Sequence, residues 1–246
     1  MNAGAVIYAT DGDIKYSALA KECARRVEYY LGIPSVIKTG SDTVKSTRNW
    51  ADCDAKVQWR NGGRCNALVD SPYERTILLD ADFWIASDCL KSCLDSSESF
   101  LAHNTRMYIN EDAPRIEKFG ALKTEMWWAT VCVFDRSRFT QDVFDAWHMI
   151  EQNYTHYADL FNFDRYFFRN DYALSLALLL CNGGERPTAS IPWPLLHVPD
   201  TCTVNWQQPI WQIEYLANQT PRRIAVKDVD LHVMGKRNLE KLCELH

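Results

Sequence analysis

The run Thr76-Ile77-Leu78-Leu79-Asp80-Ala81-Asp82-Phe83-Trp84-Ile85 decides the fold. Its first four residues are apolar or β-branched with no polar interruption, the pattern of a strand covered on both faces in the middle of a mostly parallel sheet. Two carboxylates follow at the C-terminal end of that strand. Strand side chains alternate in direction, so Asp80 and Asp82, two apart, are expected on the same side. Open α/β sheets bind ligands at the carboxyl ends of their strands. Two like charges held there cost free energy unless a cation compensates them. A hard divalent ion does so while keeping coordination positions for substrate phosphates. The alternative is an acidic loop that caps the next helix.

Working outward toward the N-terminus, Ala5 to Ala9 reads as a buried strand, and Thr10-Asp11-Gly12-Asp13 as a polar turn at its C-terminal end. Tyr16 to Leu31 has helical periodicity, with Leu19, Cys23, Val27 and Tyr30 on one stripe; Gly32 stops it and Pro34 follows. Ser35 to Lys38 is a second short strand, so the chain opens with a β-α-β unit and a right-handed crossover. Residues 40–54 are polar and carry no assignable element. Trp59-Arg60-Asn61-Gly62-Gly63-Arg64-Cys65-Asn66 reads as a glycine-containing loop whose arginines suit phosphate or carboxylate, or else as a solvated surface loop. It leads to a short helical piece, Ala67 to Asp70.

Downstream, a helix capped near Ser87 or Asp88 runs through Leu90 to Leu94, and Phe100 to His103 is a strand. Residues 104–123 are charged and irregular, the composition of a mobile segment over a site. Trp127 to Phe134 is a second strong strand, and a helix runs from Thr140 to about Tyr154. His148 and His156 belong to helix surfaces or packing. A buried helix, Ala173 to Leu180, ends at Asn182-Gly183-Gly184. Asn170 offers it an N-cap, and Asp171 in its first turn is favoured by the helix dipole. Short strands and loops follow at Ile191–Pro194, Thr203–Trp206, Ile210–Tyr215 and Ile224–Val226, then an amphipathic helix over Asn238–Leu245. With no repeat, linker or low-complexity tract, residues 1–246 are expected to form one compact domain.

Composition narrows the classes. Of 246 residues, 47% are hydrophobic and 12% aromatic, enough for a well-filled core. No run is long enough to span a membrane, and no basic segment leads into an apolar one near residue 1, so a cytoplasmic protein is expected. The 9 cysteines are scattered without a C-x-x-C pair, which argues for free thiols in a reducing compartment and against structural zinc. A net charge of −5 argues against coating nucleic acid non-specifically, while leaving room for a local basic patch.

With Asp80-x-Asp82 and His232-x-x-Gly235-Lys236 both present, the chain resembles the nucleotide-sugar-dependent glycosyltransferases of the GT-A fold, most closely the family 8 type. That family carries an Arg, then a Tyr, then an I-L-L-D-A-D-like strand; here the stretch is Arg64, Tyr73 and Ile77 to Asp82. It also has a buried mid-chain strand, an Asn-Asp or Asp-Gln pair opening a helix, and a C-terminal H-x-x-G-x-x-K. Two departures stand out. Lys236 follows Gly235 directly, and Trp127-Trp128-Ala129 replaces the Asn-x-Gly of many members. The resemblance implies an α/β fold: a single Rossmann-like nucleotide-sugar-binding domain with a mixed, mostly parallel central sheet flanked by helices. It further implies that Asp80, Asp82 and His232 hold Mn²⁺ or Mg²⁺, and an imidazole ligand favours Mn²⁺. Ala9, Thr10, Asp11 and Tyr16 are then expected at the base and ribose of a nucleotide-sugar donor, UDP-linked by expectation. Arg64, Asn66, Asp80, Gly235 and Lys236 are expected at its ribose and phosphates, and Asn170 and Asp171 at the sugar and the incoming hydroxyl. Transfer with retention is the expectation.

Y-A-T-D near the start and F-R-N-D-Y-A-L-S further on look most like enzymes encoded by tailed phages, several of which glycosylate 5-hydroxymethylcytosine in DNA. That makes DNA the expected acceptor, in the host cytoplasm, with arabinose or glucose as the sugar and Trp127 or Trp128 available to stack on a base. Arg115, Lys118, Lys123, Arg136, Arg138, Arg222, Arg223 and Lys227 are the candidate basic patch. Lipopolysaccharide or another glycan is the alternative acceptor, disfavoured by the short, non-basic tail that ends the chain. A sugar nucleotidyltransferase or an inactive nucleotide-sugar-binding module is the alternative outside the class. The acidic Thr10-Asp11-Gly12-Asp13 disfavours the former.

Overall fold

The computed structural model describes residues 2–46, 55–183, 188–217 and 219–244. The expected helix end at Gly184 and the last residues of the tail lie outside them, as does most of the unassigned polar stretch. The chain begins with β1 (Ala3–Ala9), α1 (Tyr16–Arg26) extended by a π-helical turn over Val27–Leu31, and β2 (Ser35–Thr39). A hairpin of β3 (Ser41–Ser46) and β4 (Ala55–Gly62) leads through a 3₁₀ turn, Arg64–Asn66, into α2 (Ala67–Asp70). There follow β5 (Arg75–Asp80), β6 (Phe83–Trp84), α3 (Lys91–Leu94), β7 (Phe100–His103), β8 (Arg106–Tyr108), β9 (Lys118–Phe119) and β10 (Thr124–Glu125). The second half contains β11 (Trp128–Phe134), α4 (Arg138–Gln152), α5 (Tyr154–Phe161), α6 (Asn170–Cys181), β12 (Ala189–Ser190) and β13 (Leu195–Val198). It ends with β14 (Thr203–Gln207), β15 (Ile210–Ala217), β16 (Thr220–Lys227), β17 (Leu231–Val233) and α7 (Lys236–Glu244).

The fold is mixed α/β around a six-stranded sheet of order β12-β7-β11-β5-β1-β2. Every residue of β5 and β11 is buried, as their unbroken apolar runs require. β5, β1 and β2 are parallel, and β12 is parallel to β7; only β11 runs against its neighbours. α1 packs on β1 and β2, while α6, with α4 against it, packs on β11. Because β11 is reversed, its N-terminal residues and the C-terminal ends of β1 and β5 share one edge. Tyr8 there pairs with Asp80, and Phe134 lies at the other edge beside Thr76.

A second sheet, β6-β17-β13-β8, is built onto the functional edge. β17 pairs antiparallel with β6, placing His232 beside Phe83, and Val233 N donates to Asp82 O at 3.1 Å. Trp84, on β6, is the centre of a tryptophan cluster with Trp206 and Trp211 of the β14-β15-β16 meander, at ring distances of 5.9 and 5.2 Å. The buried Arg26 guanidinium lies 3.6 Å from the Trp84 ring centroid and donates to Ile85 O. The extended run after Asp82 is thus core, clamped between α1 and the meander.

Several expectations change. Helix α1 does not keep one stripe to Leu31: the π-helical turn rotates the last residues, so Leu31 is buried and Tyr30 only partly so, before Gly32 ends it at φ 71°. The helix after Asp88 is a single turn, Lys91–Leu94. The strand expected at 191–194 forms at Leu195–Val198 instead, since prolines at 192 and 194 deny the ladder its donors. Residues 104–123 are not an open loop. Buried Arg106 pairs with Glu117 and Glu111, and Arg106 and Arg115 exchange backbone hydrogen bonds. Gly120, at φ 68°, lies so close to Phe161 O that a Cβ could not fit. Among the described residues no helix is long and apolar enough to cross a membrane.

Glu151 of α4 is buried beside Cys65 without an ion-pair partner among the described residues. Burial pushes its carboxyl up to about 7, against a weaker pull from the Cys65 thiol. The folded chain therefore holds this proton more tightly than the unfolded chain. The stability this proton provides is complete below the ordinary carboxylate value and is lost as pH rises through about 7. Glu151→Gln is expected to raise the thermal midpoint at about pH 8, by the equivalent of about 1–3 kcal/mol, and to have little effect near pH 4. An equal shift at both pH values would show that ionisation of Glu151 carries no cost.

Candidate metal centre and adjoining cavity

Strand β5 ends at Asp80, and the chain turns through Ala81-Asp82 before β6 begins. The two carboxylates therefore do not meet by strand alternation. They meet because the turn folds Asp82 back and the Val233–Asp82 backbone bond holds it there. Asp80, Asp82 and His232 are all buried, and one ligand atom from each lies within 4.8 Å of the others. Among the described residues this is the one group of His, Cys, Asp or Glu close enough to hold an ion.

Each carboxylate has its own cation. Arg64, buried at the foot of the 3₁₀ turn, is ion-paired with Asp80 and donates to Ala129 O at 3.3 Å. Lys236 Nζ lies 2.6 Å from Asp82 Oδ2, and His232 Nε2 lies 3.4 Å from the same oxygen. Burial alone would raise the Asp82 carboxyl, but Lys236 and His232 hold it well below the usual carboxylate range. Burial likewise opposes the charge on Lys236, and Asp82 more than restores it. Two carboxylates and an imidazole form a donor set that would suit a first-row divalent ion. His232 Nδ1 is buried and has no hydrogen-bond partner among the described residues.

The triad opens into a cavity of about 340 Å³. Of the residues expected at the site, Tyr16, Arg64, Asp80, Asp82, Asn170, Asp171, His232 and Lys236 line it. Asp171 Oδ1 accepts from Ala129 N at 3.0 Å, and Oδ2 accepts from Arg169 Nη2 at 3.1 Å, which fixes the carboxylate on the wall. Asn170 does not cap α6: it is the first helical residue, and its buried Oδ1 has no partner among the described residues. Ala9, Thr10, Asp11, Asn66 and Gly235 are not on the cavity wall. Both Asp11 oxygens accept from Ser17, N and Oγ, each at 2.7 Å, so its carboxylate secures the start of α1. Asn66 is exposed at the end of the 3₁₀ turn. Gly235 O accepts from Asn238 N and Leu239 N and so opens α7, which presents Lys236 to the site.

Trp128, offered as a base-stacking residue, lines the wall, and Thr130, Phe168, Arg169, His197 and Met234, to which sequence reasoning assigned no role, complete it. His197 is the least expected, because it interrupts an otherwise apolar strand, Leu195 to Val198. β13 sets it in register with His232, the two rings 4.7 Å apart. Burial, with His232 and Arg106 adding to it, pushes His197 down to about 2, so it is a neutral imidazole. The candidate basic residues do not form one face. Arg136 donates to Tyr73 O and Ser71 O beyond the far end of β11, and Arg138 pairs there with Asp142 at 2.9 Å. Arg115 and Arg223 pair with Glu111 and Glu214. Trp127 is buried with its backbone N–H on Ser175 Oγ, so stacking on a base is closed to it.

No family model matches this chain, and neither does any curated protein. The site's own chemistry carries the reading, and it can be tested directly. Lys236 engages the Asp82 oxygen that an ion would also use, so Lys236→Met is expected to tighten Mn²⁺ binding about tenfold in the absence of nucleotide. Asp82→Asn is expected to weaken it at least about a hundredfold by removing a charged ligand. Equal Mn²⁺ affinity in all three proteins, read by electron paramagnetic resonance, would remove both residues from a metal centre.

Proposed function

We propose that the protein is a GT-A-type glycosyltransferase that moves a sugar from a nucleoside diphosphate to a hydroxyl acceptor. The observation that carries this reading is the buried Asp80-Asp82-His232 group flanked by Lys236 and Arg64 at the C-terminal edge of the sheet. A site with two anionic ligands and two adjoining cations suits a bridged diphosphate better than a neutral or cationic ligand. When bound, a divalent ion supplies Lewis-acid stabilisation of the diphosphate charge. Lys236 and Arg64 supply the rest of the positive field around the leaving oxygen as the glycosidic bond breaks. Asp171, oriented by Ala129 N and Arg169, presents a carboxylate to the same cavity. There it stabilises the cationic sugar or accepts the proton of the incoming hydroxyl. Retention of configuration remains part of the proposal by resemblance.

For the acceptor we favour 5-hydroxymethylcytosine in DNA, with UDP-arabinose or UDP-glucose as donor. Support comes from the loop that leads into Phe168–Asp171, where Tyr166 and Phe167 are 67% and 56% exposed. Arg165 lies 5.9 Å from the Tyr166 ring, and Arg169 is exposed beside them. Exposed aromatic rings beside arginines suit stacked bases and phosphates. The test is to incubate protein, Mn²⁺ and a panel of nucleotide sugars with hydroxymethylated or plain DNA, then analyse the nucleosides by mass spectrometry. A mass gain of one sugar is expected on modified DNA alone, lost in Asp82→Ala and cut at least about a hundredfold in Asp171→Asn. Release of nucleoside diphosphate without any gain on modified DNA would sink the DNA acceptor and keep the transferase. No turnover of any donor would sink both.

A further inference from the structure

Some of the buried polar side-chain atoms that lack a hydrogen-bond partner among the described residues belong to side chains of the cavity wall. Trp128 Nε1, Asn170 Oδ1 and both nitrogens of His197 are shielded from solvent and make no hydrogen bond with the described residues. All three side chains line the cavity that holds the metal triad. Leaving such groups unpaired costs folding free energy, and an apolar residue of similar shape would avoid that cost. The His197 ring lies against three others: His232 at 4.7 Å, Trp128 at 4.9 Å and Tyr108 at 5.6 Å between centroids. None of these contacts uses its nitrogens. Phenylalanine would pack there as well, so the imidazole is explained by what it can bond.

Arg64 Nε, Asp80 Oδ1 and His232 Nδ1 of the same wall also lack a hydrogen-bond partner, but those side chains belong to the ion pair or the metal triad, and the indole, amide and imidazole do not. The indole offers a donor, the amide oxygen an acceptor, and the neutral imidazole one of each. None carries charge, whereas Arg64, Asp80, Asp82 and Lys236 of the same cavity all do. A diphosphate is matched by the charged group. The neutral set matches a ligand portion whose groups are each donor and acceptor, which is the chemistry of vicinal hydroxyls. We infer that Trp128 and His197 form a neutral subsite that reads the hydroxyl groups of the transferred sugar, and that they set which sugar the protein accepts. This inference rests on the glycosyl-transfer reading of the site. It asks of the two side chains a small rotation that turns their N–H groups toward the bound ring.

The test compares binding of UDP and of UDP-glucose, UDP-galactose and UDP-arabinose by calorimetry with Mn²⁺ present, in wild type, Trp128→Phe and His197→Phe. Both substitutions keep an aromatic ring and remove the hydrogen-bonding groups. Each is expected to weaken the tightest-binding UDP-sugar about tenfold while UDP and Mn²⁺ affinities stay within about twofold. Altered preference among the three sugars would support the same assignment. If a variant loses UDP and UDP-sugar in equal measure, loses Mn²⁺, or loses nothing, the subsite is overturned while the metal centre stands. If wild type binds none of these nucleotides with Mn²⁺, the glycosyl reading is overturned and the subsite goes with it. Should His197→Phe unfold the chain, Trp128→Phe decides alone.

Discussion

Two carboxylates buried side by side repel each other more strongly than they would in water, and much of this chain's architecture answers that repulsion. Asp80 and Asp82 sit at and just beyond the end of a strand buried along its whole length, with both side chains largely withdrawn from solvent. Their cations come from distant parts of the chain: Arg64 from the turn after the β3–β4 hairpin, and Lys236 from the first turn of α7. Removing either cation would leave an uncompensated buried charge, which is costlier than losing a surface pair. The ion pairs are therefore a condition of the fold as well as a feature of the site. They also explain why a small second sheet is attached at this edge: it carries β17, and β17 delivers both His232 and the approach to Lys236.

The reversed strand β11 has a complementary effect. Run parallel, it would present its other end, Phe134 and the Arg136 that follows it, to the edge that holds the carboxylates. Run antiparallel, it presents Trp128, Ala129 and Thr130, so one wall of the cavity is a strand beginning and the other a strand ending. The Ala129 peptide shows the result. Its N–H orients Asp171 and its carbonyl accepts from Arg64, so a single backbone unit sets the spacing of an anion and a cation across the cavity.

How much of this was legible depended on whether the signal was local. β1, β5 and β11 were readable because a strand buried on both faces has no polar residue to blur it. The direction of β11 was not readable, since an apolar run carries no polarity. Asp80 and Asp82 were identified for a sound chemical reason but an incomplete geometric one, because their proximity depends on a turn and on a pairing with a strand near the end of the chain. Asp11 was read as a ligand-binding residue while its oxygens hold Ser17, a capping contact spanning more residues than local capping patterns cover. Asn170 was read both as a cap and as a residue at the sugar; the helix begins on it, so it is no cap, and it lines the cavity. His197 was passed over because its neighbours are apolar, and only the register with His232 shows which cavity it serves. Of the arginines gathered as a basic patch, Arg136 donates to backbone carbonyls and Arg115, Arg138 and Arg223 are paired with carboxylates, which composition cannot reveal.

The backbone bond from Val233 to Asp82 has a thermodynamic consequence. It splices the end of the chain onto the strand that carries the carboxylates, so the third ligand exists as a ligand only while β17 is docked. An ion that prefers the complete triad must then favour the docked state by the same free energy with which docking favours the ion. Occupancy of the centre and attachment of the C-terminal segment are thus one equilibrium seen from two sides. In a chain that lost the segment after Asp230, the loss would be felt first in how tightly an ion is held, even with the six-stranded sheet intact.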